Sequence, residues 1–471
     1  MNESPPPDDQ APPAPAWKRY PHVIPGTDER WFTFPAAEGD ADWGATTWFI
    51  EGRLRGRESG REFAVMAIFA LNRITAPFGR ILPAGFHVFS LFDLDNGGYG
   101  TTTEFDLPRP PRIRRRFKFA AERGLLDVSF ESSAGRSRWT VRRDGGGTPV
   151  PFGYALDLVG RDQHGRAMAA RLDVETGKPP APVGGDRLCG VKTCCAQFET
   201  FSYFQTGLAL RGRLRWGDFE EEVDGDVGWI DRQFAHEHFG AYTDLRNSRH
   251  RHEWRVMHLD NGWDLSAWQQ FDAQRGDRLI PFSGVTAQGP AGEVRATTDF
   301  RIERLSFVRD PGAIRAMAPL ARGPAWLTDR FHLSVRDWEL SVTAEPLVPT
   351  PAHGMPIEYW NGPVRLVGTM AGRPVSGVGF HERSKLWHTP HDLVFVLRET
   401  LDHLPTNGPS GDEARRIADR VWNCDVLLAR GDRAGARRLL AEQVVPRMSL
   451  LAPPGRKAAQ NVLDDLLSIL G

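Results

Sequence analysis

FETFSYFQTGLALRGRLRW (198–216) and DFEEEVDGDVGWIDRQF (218–234) decide the fold. Apolar residues alternate with polar ones, and glycines punctuate the runs. That is the pattern of antiparallel strands joined by tight connections. In strand geometry Trp229 and Asp231 share a face, because side chains alternate with period two. Upstream, TTWFIEGRLRG (46–56), REFAVMAIFAL (61–71) and GFHVFSLFDLD (85–95) read the same way. Hairpins are predicted with turns near Ala134-Gly135 and Gln163-His164-Gly165, and at Asn261-Gly262 within HEWRVMHLDNGWDLSAWQQFD (252–272). Further strands are predicted over 296–307, 330–345, 362–370 and 373–383.

The pattern changes near His391. HDLVFVLRETLDHL, SGDEARRIADRVWNCDVLLARG, DRAGARRLLAEQVVPRMSLLA and RKAAQNVLDDLLSIL carry apolar residues at helical spacing. The chain therefore divides into a proline-rich tail (1–29), a first β-unit (30–195), a second β-unit (196–386) and a helical module (387–471). The fold class is mainly β, two tandem barrels or sandwiches with a C-terminal α-helical extension.

Composition narrows the function. The 471 residues carry 60 acidic and 59 basic side chains. That balance argues against a dedicated nucleic-acid binder, which needs a basic excess to neutralise phosphates. No run approaches the roughly 18–20 apolar residues that span a bilayer. The N-terminal stretch lacks the basic start and apolar core of a secretion signal, so the expected location is cytoplasmic. A peripheral membrane contact stays open. Fifteen tryptophans, 48 glycines and 36 prolines suit an all-β chain with large inward side chains. Five of the tryptophans (Trp216, Trp229, Trp254, Trp263 and Trp268) crowd around Asp231.

A carboxylate beside indole in an apolar interior is desolvated, and its pKa rises. Kept protonated, it can give a proton to an alkene or an oxygen. Asp231 also has a plain structural reading, as a turn cap or an arginine partner. Of His236, His238, His250, His252 and His258, the first four form two His-x-His pairs, and the set could serve a metal or shuttle protons. Their polar surroundings equally suit solvated rings. Cys189, Cys194, Cys195 and Cys424 lack paired CxxC spacing and read as reduced thiols. Arg109 to Arg123 is a basic cluster, read first as a solvated face balancing nearby acids. Asp40 and Asp42, before Trp43 and Trp48, form a further acid–aromatic grouping. Gly145-Gly146-Gly147 after Asp144 reads as a turn, not a phosphate loop.

Five stretches, in order, resemble the two-domain lipocalin-like superfamily of carotenoid 1,2-hydratase (hydroxyneurosporene synthase) and AttH-type proteins. They are TTWFIEGRL (46–54), HVFSLFDLD (87–95), SYFQTGLALRGRLRW (202–216) with VDGDVGWIDRQF (223–234), HEWRVMHLDNGWDL (252–265) and EYWNGPVRLVGTMAGRPVSGVGFHERS (358–384). The resemblance implies two tandem lipocalin-like antiparallel β-barrels with an apolar pocket in or between them, and no cofactor and no metal. It implies a hydrophobic isoprenoid or polyene substrate. By position Asp231 matches the family's candidate general acid, Trp229 the aromatic before it, and Glu382 the closing-strand acid. Tyr203 falls near a family His-x-Trp pair that this chain replaces with Ser-Tyr-Phe-Gln.

The leading expectation is alkene protonation by Asp231, followed by hydration or cyclisation, with His252 or Glu382 taking the proton. Trp229, Trp254, Trp263 and Trp268 would shelter the cation with their π-faces. Tyr203, Phe204, Trp48 and Trp360 complete the expected lining. The alternatives are a pericyclase that supplies mainly orientation and a non-catalytic carrier of a hydrophobic ligand. The helical tail is a candidate for oligomerisation or partner binding.

Overall fold

The computed structural model describes residues 15–40, 44–75, 81–107, 115–119, 124–194, 198–236, 250–272, 278–280, 283–310, 324–349, 351–353, 359–384, 387–405 and 409–471. Two large antiparallel sheets, each curled into a near-barrel, stand before a helical end.

The first sheet runs Gly98–Asp106, Ile81–Asp93, Glu62–Thr75, Ala45–Gly56, Phe219–Ala235, Leu208–Trp216, Ala167–Thr176, Pro149–Arg161, Arg136–Arg143, Asp127–Glu131, Phe117–Phe119. It curls around a core that includes Ile50, Val65, Leu91, Trp139, Leu156, Leu172 and Leu210. Glycines let the two limbs of the curl meet. A Cβ on Gly160 would lie 2.6 Å from Thr102, and one on Gly100 would lie 2.8 Å from Met168. The expected turns occur, with Gly135, Gly165 and Gly262 at positive φ. Asp144 closes the triple-glycine turn by accepting from Gly146 N.

The strand Phe219–Ala235 corrects the expected domain boundary. Strands 198–235 were expected to open the second barrel. Instead they complete the first. Phe219–Ala235 pairs with Ala45–Gly56 from Val223↔Gly56 to Ala235↔Ala45. Its other edge takes Leu208–Trp216 along the first half and Phe198–Thr206 along the second. Partner choice over such sequence distances is fixed by register, which a local pattern does not carry.

The second sheet runs Val294–Thr297, Gly284–Gln288, Asp264–Asp272, His250–Leu259, Arg373–Arg383, Trp360–Met370, Leu340–Pro346, Trp326–Val335, Arg301–Arg309. Its inner face buries Met257, Leu265, Phe331, Leu333, Val342 and Leu366. The helices Pro390–Asp402, Pro409–Ala429, Arg433–Leu439 and Pro453–Ile469 enclose a separate apolar core. Thr389 starts the first helix with a capping box on Asp392. The module docks on the second barrel through Trp326 and Trp387, and through Asp465, which accepts from Arg309 and Trp326.

The outer faces of the two barrels meet. Phe49, Met66, Ile68, Phe92, Phe204 and Trp229 from the first pack against Trp254, Val256, Trp268 and Phe380 from the second. The functional residues lie on this interface.

Candidate active site between the barrels

Register assembles the first half of the site. Trp229 lies opposite Glu51, and Asp231 opposite Phe49, on adjacent strands. Phe204 lies opposite Asp231 on the other neighbouring strand. Period-two alternation turns all five side chains to the same face. Phe204 stacks on Trp229 with centroids 4.3 Å apart, and Trp229 meets Trp254 edge-on at 6.2 Å.

Asp231 is buried. Its carboxyl accepts from Ser202 Oγ (3.4 Å) and Gln233 Nε2 (2.5 Å). Burial pushes its pKa up, Lys192 opposes the rise, and Glu382 adds to it; the balance stays above the ordinary value. Glu51 is fully buried, and among the described residues neither carboxyl oxygen has a hydrogen-bond partner. Burial holds it well above the usual carboxylate range, and the charges of Glu382 and Asp231 raise it further. That environment favours the proton-bearing acid.

The second barrel supplies the opposite half. Glu382 Oε1 bonds His252 Nε2 at 2.6 Å, and Tyr359 Oη donates to Glu382 Oε2 at 2.6 Å. His252 Nδ1 meets Ser384 Oγ at 2.8 Å, and its ring stacks on Trp268 at 4.8 Å. Both ring nitrogens are thus engaged, which fixes the ring's orientation. Trp254 donates to Ser266 Oγ (2.8 Å), whereas the indole N–H groups of Trp229 and Trp268 are buried without partners among the described residues. These orphan donors, with the two free oxygens of Glu51, are polar groups that a bound molecule could satisfy.

Asp231, Glu382, His252, Trp229, Trp254, Trp268 and Phe204 therefore come together between the barrels. Four expected residues do not. Trp48 points into the first barrel, donates to Glu38 O (2.8 Å) and lies under the Arg232 guanidinium. Tyr203 faces Phe34 in the N-terminal packing. Trp263 packs on the core inside the second barrel, beneath Arg295. Trp360 packs with Ala325, Leu327 and Ala352, while the next residue, Asn361, donates to Tyr359 Oη. Trp48 and Tyr203 each sit one residue from a site residue on their own strands, Phe49 and Phe204, so they face the other way.

Glu51, Lys192 and Tyr359 are the additions. Glu51 was signalled by a lone carboxylate two residues after Phe49 in an apolar strand. Lys192 and Tyr359 had no comparable signal.

The described histidines do not gather. His236 sits edge-on to Trp31, and His258 bonds Asp264 at 2.6 Å. His238 and the side chain of His250 lie outside the described residues. Among the described residues no group of three His, Cys, Asp or Glu is arranged to hold a metal ion. Cys424 is buried in the helical core and Cys189 is a free thiol; Cys195 and the side chain of Cys194 lie outside the described residues. Arg115 and Arg116 pair with Asp106 and Glu104. Residues 109–114 and 120–123 of that basic cluster, and Asp42 with Trp43, lie outside the description, while Asp40 pairs with Arg73. No helix among the described residues is long and apolar enough to cross a membrane.

A family model described as AttH-like matches residues 121–383. The chain belongs to the AttH-like family. Its fold is similar to a Nitrosomonas europaea protein assigned to AttH, at TM-score 0.53 and 17% identity, covering 77% of this chain and 98% of that one. Kievitone hydratase from Nectria haematococca is similar at TM-score 0.49 and 12% identity, covering 78% and 98%. CghA, solved with Sch210972, follows at TM-score 0.39 and 10% identity, covering 73% and 89%. No curated protein sequence matches the chain. In this AttH-like protein the family match covers the Asp231, His252 and Glu382 positions and stops short of the helical module.

Proposed function

We propose that this AttH-like protein is an acid–base enzyme that protonates an alkene of a largely apolar, unsaturated small molecule. Hydration or cyclisation completes the reaction. The observation that carries this reading is the pair of buried carboxyls, Glu51 and Asp231. Both have raised pKa values and both lie among Trp229, Phe204, Phe49 and Trp254, facing the Glu382–His252 pair.

Asp231, with Glu51 beside it, gives a proton to one alkene carbon, and the π-electrons form the new C–H bond. The cation left on the neighbouring carbon lies against indole faces, which attract positive charge. Water, or an internal alkene or hydroxyl, closes on that carbon. Glu382, held by Tyr359 and His252, takes the proton released, and exchange returns it to the acid pair. Neither water addition nor ring closure changes the oxidation state, so the reaction as written consumes no redox equivalent. An isoprenoid or polyene, as used by carotenoid 1,2-hydratases, is the substrate class this chemistry suits.

The test is turnover of a panel of prenylated phenols and polyenes in ¹⁸O-labelled water, with wild type, Asp231→Asn and Glu51→Gln. A labelled hydroxyl marks hydration, and an isomeric product without label marks cyclisation. Full turnover by folded Asp231→Asn and Glu51→Gln variants would leave only an orienting role, as in a pericyclase. Binding with no turnover of any kind would make the protein a carrier.

A further inference from the structure

Lys192, on the strand Val191–Cys194, is buried to 3% exposure. Its ammonium lies 4.2 Å from the centroid of the Trp268 ring. Among the described residues nothing gives it a hydrogen bond or an ion pair. The buried Lys178 shows what a structural lysine looks like in this protein. It donates to Asp264 Oδ2 at 2.7 Å and to Gly262 O at 2.6 Å. An ammonium taken out of water is costly unless an anion meets it, and an aromatic face recovers only part of that cost. Near Lys192 stand further polar groups of the site. Trp268 N–H is an orphan donor, and Asp231 is close enough for the two charges to be felt.

We infer that Lys192 anchors an acidic oxygen of the ligand, so that the substrate is an amphiphile and not a plain hydrocarbon. A carboxylate, phenolate or enolate head meets the ammonium and the Trp268 N–H. The unsaturated apolar body lies along Trp254, Trp229 and Phe204 toward the acid pair. A pure hydrocarbon would leave the ammonium buried and unmatched. A phosphate head would bring a second negative charge toward Glu382, the base of the site, whose charge opposes it. The position of the alkene rests on the acid–base reading above; the head-group preference does not.

The experiment titrates the full chain with undecylenate, which has a terminal alkene and a carboxylate, and with its methyl ester. Tryptophan fluorescence and calorimetry report binding. The acid is expected to bind at least about tenfold tighter than the ester, a difference of about 1.4 kcal/mol. Lys192→Met should abolish that preference and leave ester affinity unchanged, and Lys192→Arg should keep it. Circular dichroism and melting confirm that each variant is folded; should Lys192→Met fail to fold, Lys192→Gln replaces it. Equal affinities in wild type, a preference that survives loss of the ammonium, or no saturable binding of the acid would each overturn the assignment. Asp231→Asn separates the two claims. A retained preference with normal turnover removes the acid–base reading alone. A lost preference in wild type with Asp231→Asn inactive removes the anchor alone.

Discussion

Two buried carboxylate clusters border Trp229, and only one is neutralised. Asp264 takes hydrogen bonds from His258 (2.6 Å) and Lys178 (2.7 Å). Burial pushes its carboxyl up, but His258 and Lys178 outweigh that and hold it below the ordinary value. Glu51 and Asp231 are as deeply buried, yet no described cation is within hydrogen-bonding distance of either, and both are raised. Depth is therefore not the difference; partners are. A folded chain tends to satisfy buried charge. Where one cluster is compensated and its neighbour is not, the uncompensated one is the better candidate for chemistry.

The largest effect expected from breaking this contrast is on turnover. Glu51→Gln and Asp231→Asn should each cost about a hundredfold or more in kcat once a substrate is in hand, the scale of general acid catalysis. Both should fold normally, because each amide replaces a carboxyl whose charge is already disfavoured. Stopped assays and thermal melts on the same preparations check both halves.

At the neutralised cluster the effect should fall on stability. Lys178→Met leaves Asp264 with His258 alone, and it should cost about 3 kcal/mol in urea unfolding. Glu51→Gln should show no comparable loss at neutral pH.

The pH dependence separates the two clusters by sign. Glu51 has a folded pKa above its unfolded one, so its contribution is fully present below about 4.3. It is lost as pH rises through the folded value, because the native state then holds a proton that the unfolded state has released. Glu51→Gln should remove that downward slope. Asp264 has a lowered folded pKa, so its contribution is present above about 3.9 and lost as pH falls through the folded value. Asp264→Asn should flatten the acid limb instead. Melting curves from about pH 2 to 9 distinguish the two.

The smallest effect is a control. Trp263→Phe removes an indole that packs on the core inside the second barrel, and should leave ligand binding unchanged. Trp268→Phe should not, because Trp268 holds both the His252 ring and the Lys192 ammonium.

Much of this was legible in the chain. Alternation, glycine-marked turns and the switch to helical spacing near His391 read correctly, because each is a local property. Sheet membership of 198–235 was not local. Only the register with Ala45–Gly56 places those strands in the first barrel. Within the site, crowding in sequence is not crowding in space. Trp263 lies in the turn before the strand Asp264–Asp272 and packs on the inner core, whereas Trp268 on that strand faces the other barrel. Strand alternation separates Trp48 from Phe49 and Tyr203 from Phe204. Glu51 was visible as a carboxylate in step with Phe49, but its weight came only when it proved to lie opposite Trp229. Lys192 depends on contacts between segments 76 residues apart, from Lys192 to Trp268, which no spacing rule reports.

The most direct measurement is infrared difference spectroscopy of the intact protein at neutral pH, wild type minus Glu51→Gln. A proton-bearing Glu51 gives wild type a carbonyl band of a protonated, weakly hydrogen-bonded carboxylic acid that disappears in the variant. A difference spectrum showing only the paired bands of an ionised carboxylate would contradict it.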